Sequence, residues 1–94
     1  RGGANIYPVE VEQTISQIKG VSDVAVVGVP DKEMGEEIAA VLVADQGITE
    51  DLIVEICKEK LASYKVPRLI KFAKDLPRNS SGKVLKSVIL ESLS

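Results

Sequence analysis

Apolar residues recur along the chain in two rhythms, and the changes of rhythm mark its elements. Over residues 9–19 the rhythm is helical: Val11, Ile15 and Ile18 repeat at i, i+4 and i+7 and make one apolar face. Pro8 suits the first turn, where a missing amide costs nothing, and Glu10 and Glu12 sit near the positive end of the helix dipole. Gly20 follows as a stop. Residues 23–29 are Val and Ala with little polar relief, which predicts a strand in the middle of a sheet. The polar segment 30–36, with its Pro and Gly, predicts a turn, and residues 37–44 return as a second apolar strand, most simply antiparallel to the first.

A second helix follows. Thr49 can cap it, Glu50 and Asp51 fall in its first turn, and Leu52, Ile53, Ile56, Cys57 and Leu61 make its apolar stripe before Pro67 ends the region. Residues 68–74 alternate weakly and predict a short third strand. Residues 75–82 are a loop rich in Pro, Asn, Ser and Gly, and Leu85, Val88, Ile89 and Leu93 define a C-terminal helix. The order helix, strand, strand, helix, strand, helix predicts an α+β domain: a small sheet of about three strands, including an antiparallel hairpin, flanked by about three helices.

Composition narrows the chemistry. Ninety-four residues make one small domain, and 12 basic against 14 acidic residues give a net charge of −2, without the basic footprint of a general nucleic-acid binder. The chain has one cysteine and no histidine. A disulfide framework, Ser-His or Cys-His catalysis and His-ligated metals are therefore excluded within it, and no metal site is expected. No apolar run reaches membrane-spanning length and no secretory pattern opens the chain, so a cytoplasmic protein without a transmembrane segment is expected. The chain starts at Arg1-Gly2-Gly3 instead of Met, consistent with processing or with a piece of a longer protein.

The segment Pro77-Arg78-Asn79-Ser80-Ser81-Gly82-Lys83 carries the most chemistry: a flexible Gly, two hydroxyls and a lysine where a helix begins, a place that favours anions. A phosphate-cradling P-loop is excluded, because that motif needs Gly at 77 and Ser or Thr at 84, where Pro77 and Val84 stand. On spacing alone, a solvated lysine beside a helix cap is the better reading. Gly2-Gly3 permits close backbone approach, or is simply a fraying terminus. Glu10 and Glu12 fall on different helix faces and make a poor carboxylate pair, and Asn5 and Tyr7 have no partner deducible from spacing. Cys57 reads as core. Lys65 and Arg68 are candidate phosphate contacts, although a helix dipole alone accounts for cations near a helix end.

Three segments taken in order carry a resemblance. Gly2-Gly3-Ala4-Asn5-Ile6-Tyr7-Pro8-Val9-Glu10-Val11-Glu12 resembles the segment just after the hinge of adenylate-forming enzymes: acyl-CoA synthetases, aryl-CoA ligases, peptide-synthetase adenylation domains and luciferases. Val24-Ala25-Val26-Val27-Gly28-Val29-Pro30-Asp31 with Gly35-Glu36 resembles their central hairpin. Tyr64-Lys65-Val66-Pro67 and Leu76-Pro77-Arg78-Asn79-Ser80-Ser81-Gly82-Lys83-Val84-Leu85-Lys86 resemble their final signature. The resemblance runs over essentially the whole chain. Asn5-Ile6-Tyr7-Pro8 is closer to fatty-acyl- and aryl-CoA synthetases than to peptide-synthetase domains, and Lys86 stands where many members have arginine.

The resemblance implies that residues 1–94 are the mobile C-terminal lid of an AMP-forming acyl-CoA synthetase, an ATP-dependent acid-thiol ligase of fatty acid metabolism. The ATP- and acid-binding N-terminal domain would lie outside this chain and be its partner, and the domain alone would be inactive. Lys83 matches the catalytic lysine of acyl-adenylate formation, with Ser81 and Gly82 supporting its loop. After domain rotation Gly2 and Gly3 would line the passage for pantetheine. ATP with Mg, coenzyme A and a carboxylic acid are the implied ligands of the intact enzyme, none held tightly by this domain by itself. The competing expectations are a free-standing anion-binding module built on Lys83, Lys65 and Arg68, and a peptide-synthetase fragment delivering to a carrier protein. The acid itself, the hinge residue and the oligomeric state are not encoded here.

Overall fold

A computed structural model of the chain describes residues 7–33 and 35–93. The elements follow the predicted order: α1 (Pro8–Ser16), β1 (Val21–Asp31), β2 (Gly35–Ala44), α2 (Glu50–Lys60), a single 3-10 turn (Ser63–Lys65), β3 (Leu69–Phe72) and α3 (Lys86–Ser92). Three helices and a three-stranded mixed sheet make the α+β domain that the hydrophobic pattern predicts. Local signals account for the helix ends. Pro8 opens α1, and the Thr49 hydroxyl caps α2 by accepting from the Leu52 amide at 3.2 Å. Helix α1 stops at Ser16, three residues short of the expected end, and the chain leaves through Gly20 at φ +102°.

The strand order is β1-β2-β3, with β1 and β2 antiparallel and β2 and β3 parallel. The parallel pairing is reached through α2, since two parallel neighbours need a crossover connection. This order corrects one expectation: β1 lies at the edge of the sheet, and β2 is the central strand. The apolar run in β1 reflects burial on both faces, not two neighbouring strands. Val26 packs with Val11, Ile15, Leu42, Ile53 and Cys57 under α1 and α2, whereas Ala25 and Val27 pack with Ala39, Val41, Leu76 and Ile89 under α3. An edge strand covered on both sides has no reason to alternate.

The hairpin is also tighter than the polar segment 30–36 predicts. Pairing continues to Pro30↔Glu36 and Asp31↔Gly35. Polar residues pair as well as apolar ones at a solvent-facing strand end, and an edge strand tolerates the proline. The free edge of β1 is closed by side chains. Glu12 accepts a hydrogen bond from the Val26 amide at 2.8 Å, and the same oxygen pairs with Lys86 Nζ at 2.9 Å, so one carboxylate joins α1, β1 and α3. Among the described residues no helix is long and apolar enough to cross a membrane.

Candidate functional site

The segment after β3 returns along the α3 side of the sheet and forms a small antiparallel turn. Arg78 bridges to Val84, the Leu85 amide donates to the Pro77 carbonyl at 2.8 Å, and the Asn79 amide donates to the Lys83 carbonyl at 3.0 Å. The Gly82 amide donates to the Asn79 carbonyl at 3.0 Å, closing a four-residue turn over residues 79–82. Gly82 has φ +88°, and an added methyl group there would meet nothing within 4 Å. Its glycine therefore serves the backbone angle, in the hairpin type where a turn is followed by a left-handed residue. That differs from the flexibility expected of it. Asparagine at the first position and glycine at the fourth are the favoured residues of such a turn.

Side chains brace this turn from both flanks. Asn79 Oδ1 accepts from the Ser81 amide (3.0 Å), the Ser81 hydroxyl (2.8 Å) and the Lys83 amide (3.0 Å). The Arg78 guanidinium donates to the Gly82 carbonyl at 2.6 Å and pairs with Asp23 on β1. Residues 78–83 are all exposed. Lys83 Nζ has no hydrogen-bond or ion-pair partner among the described residues. Helix α3 starts only at Lys86, so Lys83 precedes it, and the Lys83 amide is already committed to Asn79.

Lys65 has the opposite surroundings. Its ammonium pairs with Glu10 at 2.7 Å and lies 4.7 Å and 5.6 Å from the centres of the Tyr7 and Tyr64 rings. The hydrogen bond it donates to Glu10 raises its pKa above the ordinary lysine value. Arg68 lines a cleft with Glu36, Glu37, Ser63 and Tyr64, and its guanidinium has no ion pair among the described residues. The Arg68 amide donates to Ile38, which faces Gly28 on β1, whereas Arg78 is tied to Asp23. Five residues of strand, about 16 Å, separate those two anchor points. Lys83 and Arg68 are thus carried by opposite ends of the sheet. Gly2 and Gly3 lie outside the described residues.

Residues 10–83 match the family model described as the AMP-binding enzyme C-terminal domain. The chain belongs to this family. Its match ends at Lys83, so it takes in the hairpin, the 3-10 turn and the braced loop of the AMP-binding enzyme C-terminal domain. The chain is 50% identical over 94 residues to the long-chain-fatty-acid–CoA ligase FadD13 of Mycobacterium tuberculosis, covering 99% of this chain and 19% of that protein. It is 47% identical over 85 residues to the 2-succinylbenzoate–CoA ligase of Bacillus licheniformis, covering 90% and 18%. Among solved structures, ATP-bound MatB from Rhodopseudomonas palustris superposes with a TM-score of 0.91 at 42% identity, covering 97% of this chain and 18% of that one. The chain therefore spans about a fifth of the length of the relatives it matches.

Two residues of this C-terminal domain escape a reading by spacing. Glu12 finds its partners in β1 and α3, and Asp23 finds Arg78 across 55 positions, so no local pattern announces either. Asn79 was legible in principle, as an asparagine three residues before a glycine in a polar loop. Cys57 is fully buried in the core as expected, and burial raises its thiol pKa to about 11. No group of three or more His, Cys, Asp or Glu side chains that could hold a metal ion occurs among the described residues.

Proposed function

We propose that this domain is the C-terminal part of an AMP-forming acyl-CoA ligase of the fatty-acyl or aryl type. Two of the relatives named above are CoA ligases, and the solved one holds ATP. The observation that carries the reading is Lys83: an exposed ammonium without a partner among the described residues, on a turn whose backbone is braced on both flanks. A cation held in this way suits an anionic partner supplied from outside the domain.

In this reading a carboxylate oxygen of the acid attacks the α-phosphorus of ATP. The new O–P bond forms as the bond to pyrophosphate breaks, leaving an acyl-adenylate. Two anions must approach for this to happen. The Lys83 ammonium lies between carboxylate and phosphate oxygens, lowers their repulsion and orients the attack. In the second step a thiol of coenzyme A attacks the acyl carbon, the thiol proton is lost, and AMP leaves with its phosphate oxygen. A rotation of the domain withdraws Lys83 and presents Gly2 and Gly3, whose lack of side chains leaves room for the pantetheine arm. Magnesium enters with ATP as part of the substrate. The ATP and acid pockets belong to a separate N-terminal domain, and this domain has no ligase activity by itself. Lys65 already has Glu10 as its anion, which leaves Arg68 as the second candidate for a phosphate.

The test uses an intact ligase that carries this domain. Replacing Lys83 (Lys83→Ala) is expected to cripple acid-dependent ATP–pyrophosphate exchange. Transfer from a pre-made acyl-adenylate to the thiol should survive far better. Equal damage to both half-reactions would refute the role assigned to Lys83.

A further inference from the structure

Lys83 is held by its backbone and left open at its tip. The carbonyl before it (Gly82) accepts from the Arg78 guanidinium at 2.6 Å, its own amide donates to Asn79 Oδ1 at 3.0 Å, and its own carbonyl accepts from the Asn79 amide at 3.0 Å. The first two contacts seize the two ends of one peptide unit. Because that unit is planar, holding its C=O and its N–H sets the orientation of the whole plane. The third contact fixes the chain on the far side of the Lys83 Cα. Together they determine where the Cα–Cβ bond points, and only the side-chain torsions stay adjustable. Arg78 is itself anchored through Asp23 to β1, so the aim of Lys83 is referred to the sheet and not to the loop alone.

We infer that Asn79 and Arg78 are positioning residues for Lys83: they aim its ammonium and do not touch the substrate. The inference rests on the reading of Lys83 given above. Two chemical details give it discrimination. Asn79 Oδ1 acts only as an acceptor in its three bonds, so an aspartate can keep all three, whereas alanine loses them. The guanidinium spans two acceptors, Asp23 and Gly82, which a lysine at the same position cannot span with one point charge.

The experiment measures both half-reactions in the intact ligase for Asn79→Ala, Asn79→Asp, Arg78→Lys and Lys83→Ala, and for Asn79→Ala combined with Lys83→Ala. A misdirected lysine predicts that Asn79→Ala slows pyrophosphate exchange roughly tenfold to a hundredfold, in kcat and not in the KM for ATP. Arg78→Lys should fall in the same direction, and Asn79→Asp should recover most of the rate. Transfer from the pre-made adenylate should hold. If Asn79 acts through Lys83, adding Asn79→Ala to Lys83→Ala costs nothing more, within about twofold. A further loss on the Lys83→Ala background, or equal slowing of both half-reactions, overturns the inference. Should Asn79→Ala fail to fold, Arg78→Lys carries the same test. An enzyme crippled by Lys83→Ala but indifferent to Asn79→Ala and Arg78→Lys would overturn the positioning role alone. Exchange that survives Lys83→Ala would overturn the role of Lys83 and the positioning with it.

Discussion

Lys65 and Lys83 are chemically the same residue, and the fold uses them in opposite ways. The Lys65 side chain is only 18% exposed, with Glu10 against its ammonium and two tyrosine rings nearby. Its backbone lies in a single 3-10 turn. At Lys83 the relation is inverted: the backbone is bonded before and after the Cα, and the ammonium has no partner among the described residues. A charge that is satisfied within the domain stabilises the domain. A charge that is left open on a fixed mount is available to something else. The two lysines carry the same charge, and what separates them is where their hydrogen bonds go.

In an intact ligase, Lys83→Ala should lower pyrophosphate exchange by about 10²–10³-fold, the usual cost of one preorganised electrostatic contact, while its melting temperature stays at the parent value. Gly82→Ala probes the mount. The space is open but φ is +88°, so the domain should lose about 1–2 kcal/mol in a denaturant titration, and Gly82→Asn should lose less because asparagine tolerates that region. Lys65→Met should do the reverse of Lys83→Ala: a lower melting temperature with exchange retained per folded molecule. The smallest effect concerns pH. Glu10 raises the Lys65 pKa, so the stability from this pair is complete below the ordinary lysine value of 10.5 and is lost as pH rises through the raised one. Above pH 10.5, chemical denaturation should therefore show a shallower decline for Lys65→Met than for the parent.

Much of the fold was legible because its causes are local. Pro8 and Thr49 set helix starts, and the repeat of Val11 with Ile15 and of Ile53 with Cys57 marks the buried stripes. The place of β1 in the sheet was not legible. A run of Val and Ala reports burial on two faces, and only the crossover through α2 decides which strand becomes central. Lys83 stood out by its motif, but what sets it apart in space did not. That depends on Arg78 reaching Asp23 and on Lys65 reaching Glu10, each pair 55 positions apart. Such pairs form because the sheet brings distant segments together, and no periodicity encodes them.

The most direct measurement is acid-dependent ATP–pyrophosphate exchange by Lys83→Ala and Lys65→Ala forms of one ligase, each normalised to folded protein. Lys83→Ala is expected to abolish most of the exchange without lowering the melting temperature. Lys65→Ala should keep the exchange and melt earlier. Exchange that survives in Lys83→Ala, or that is lost equally in both, would contradict the roles assigned to the two lysines.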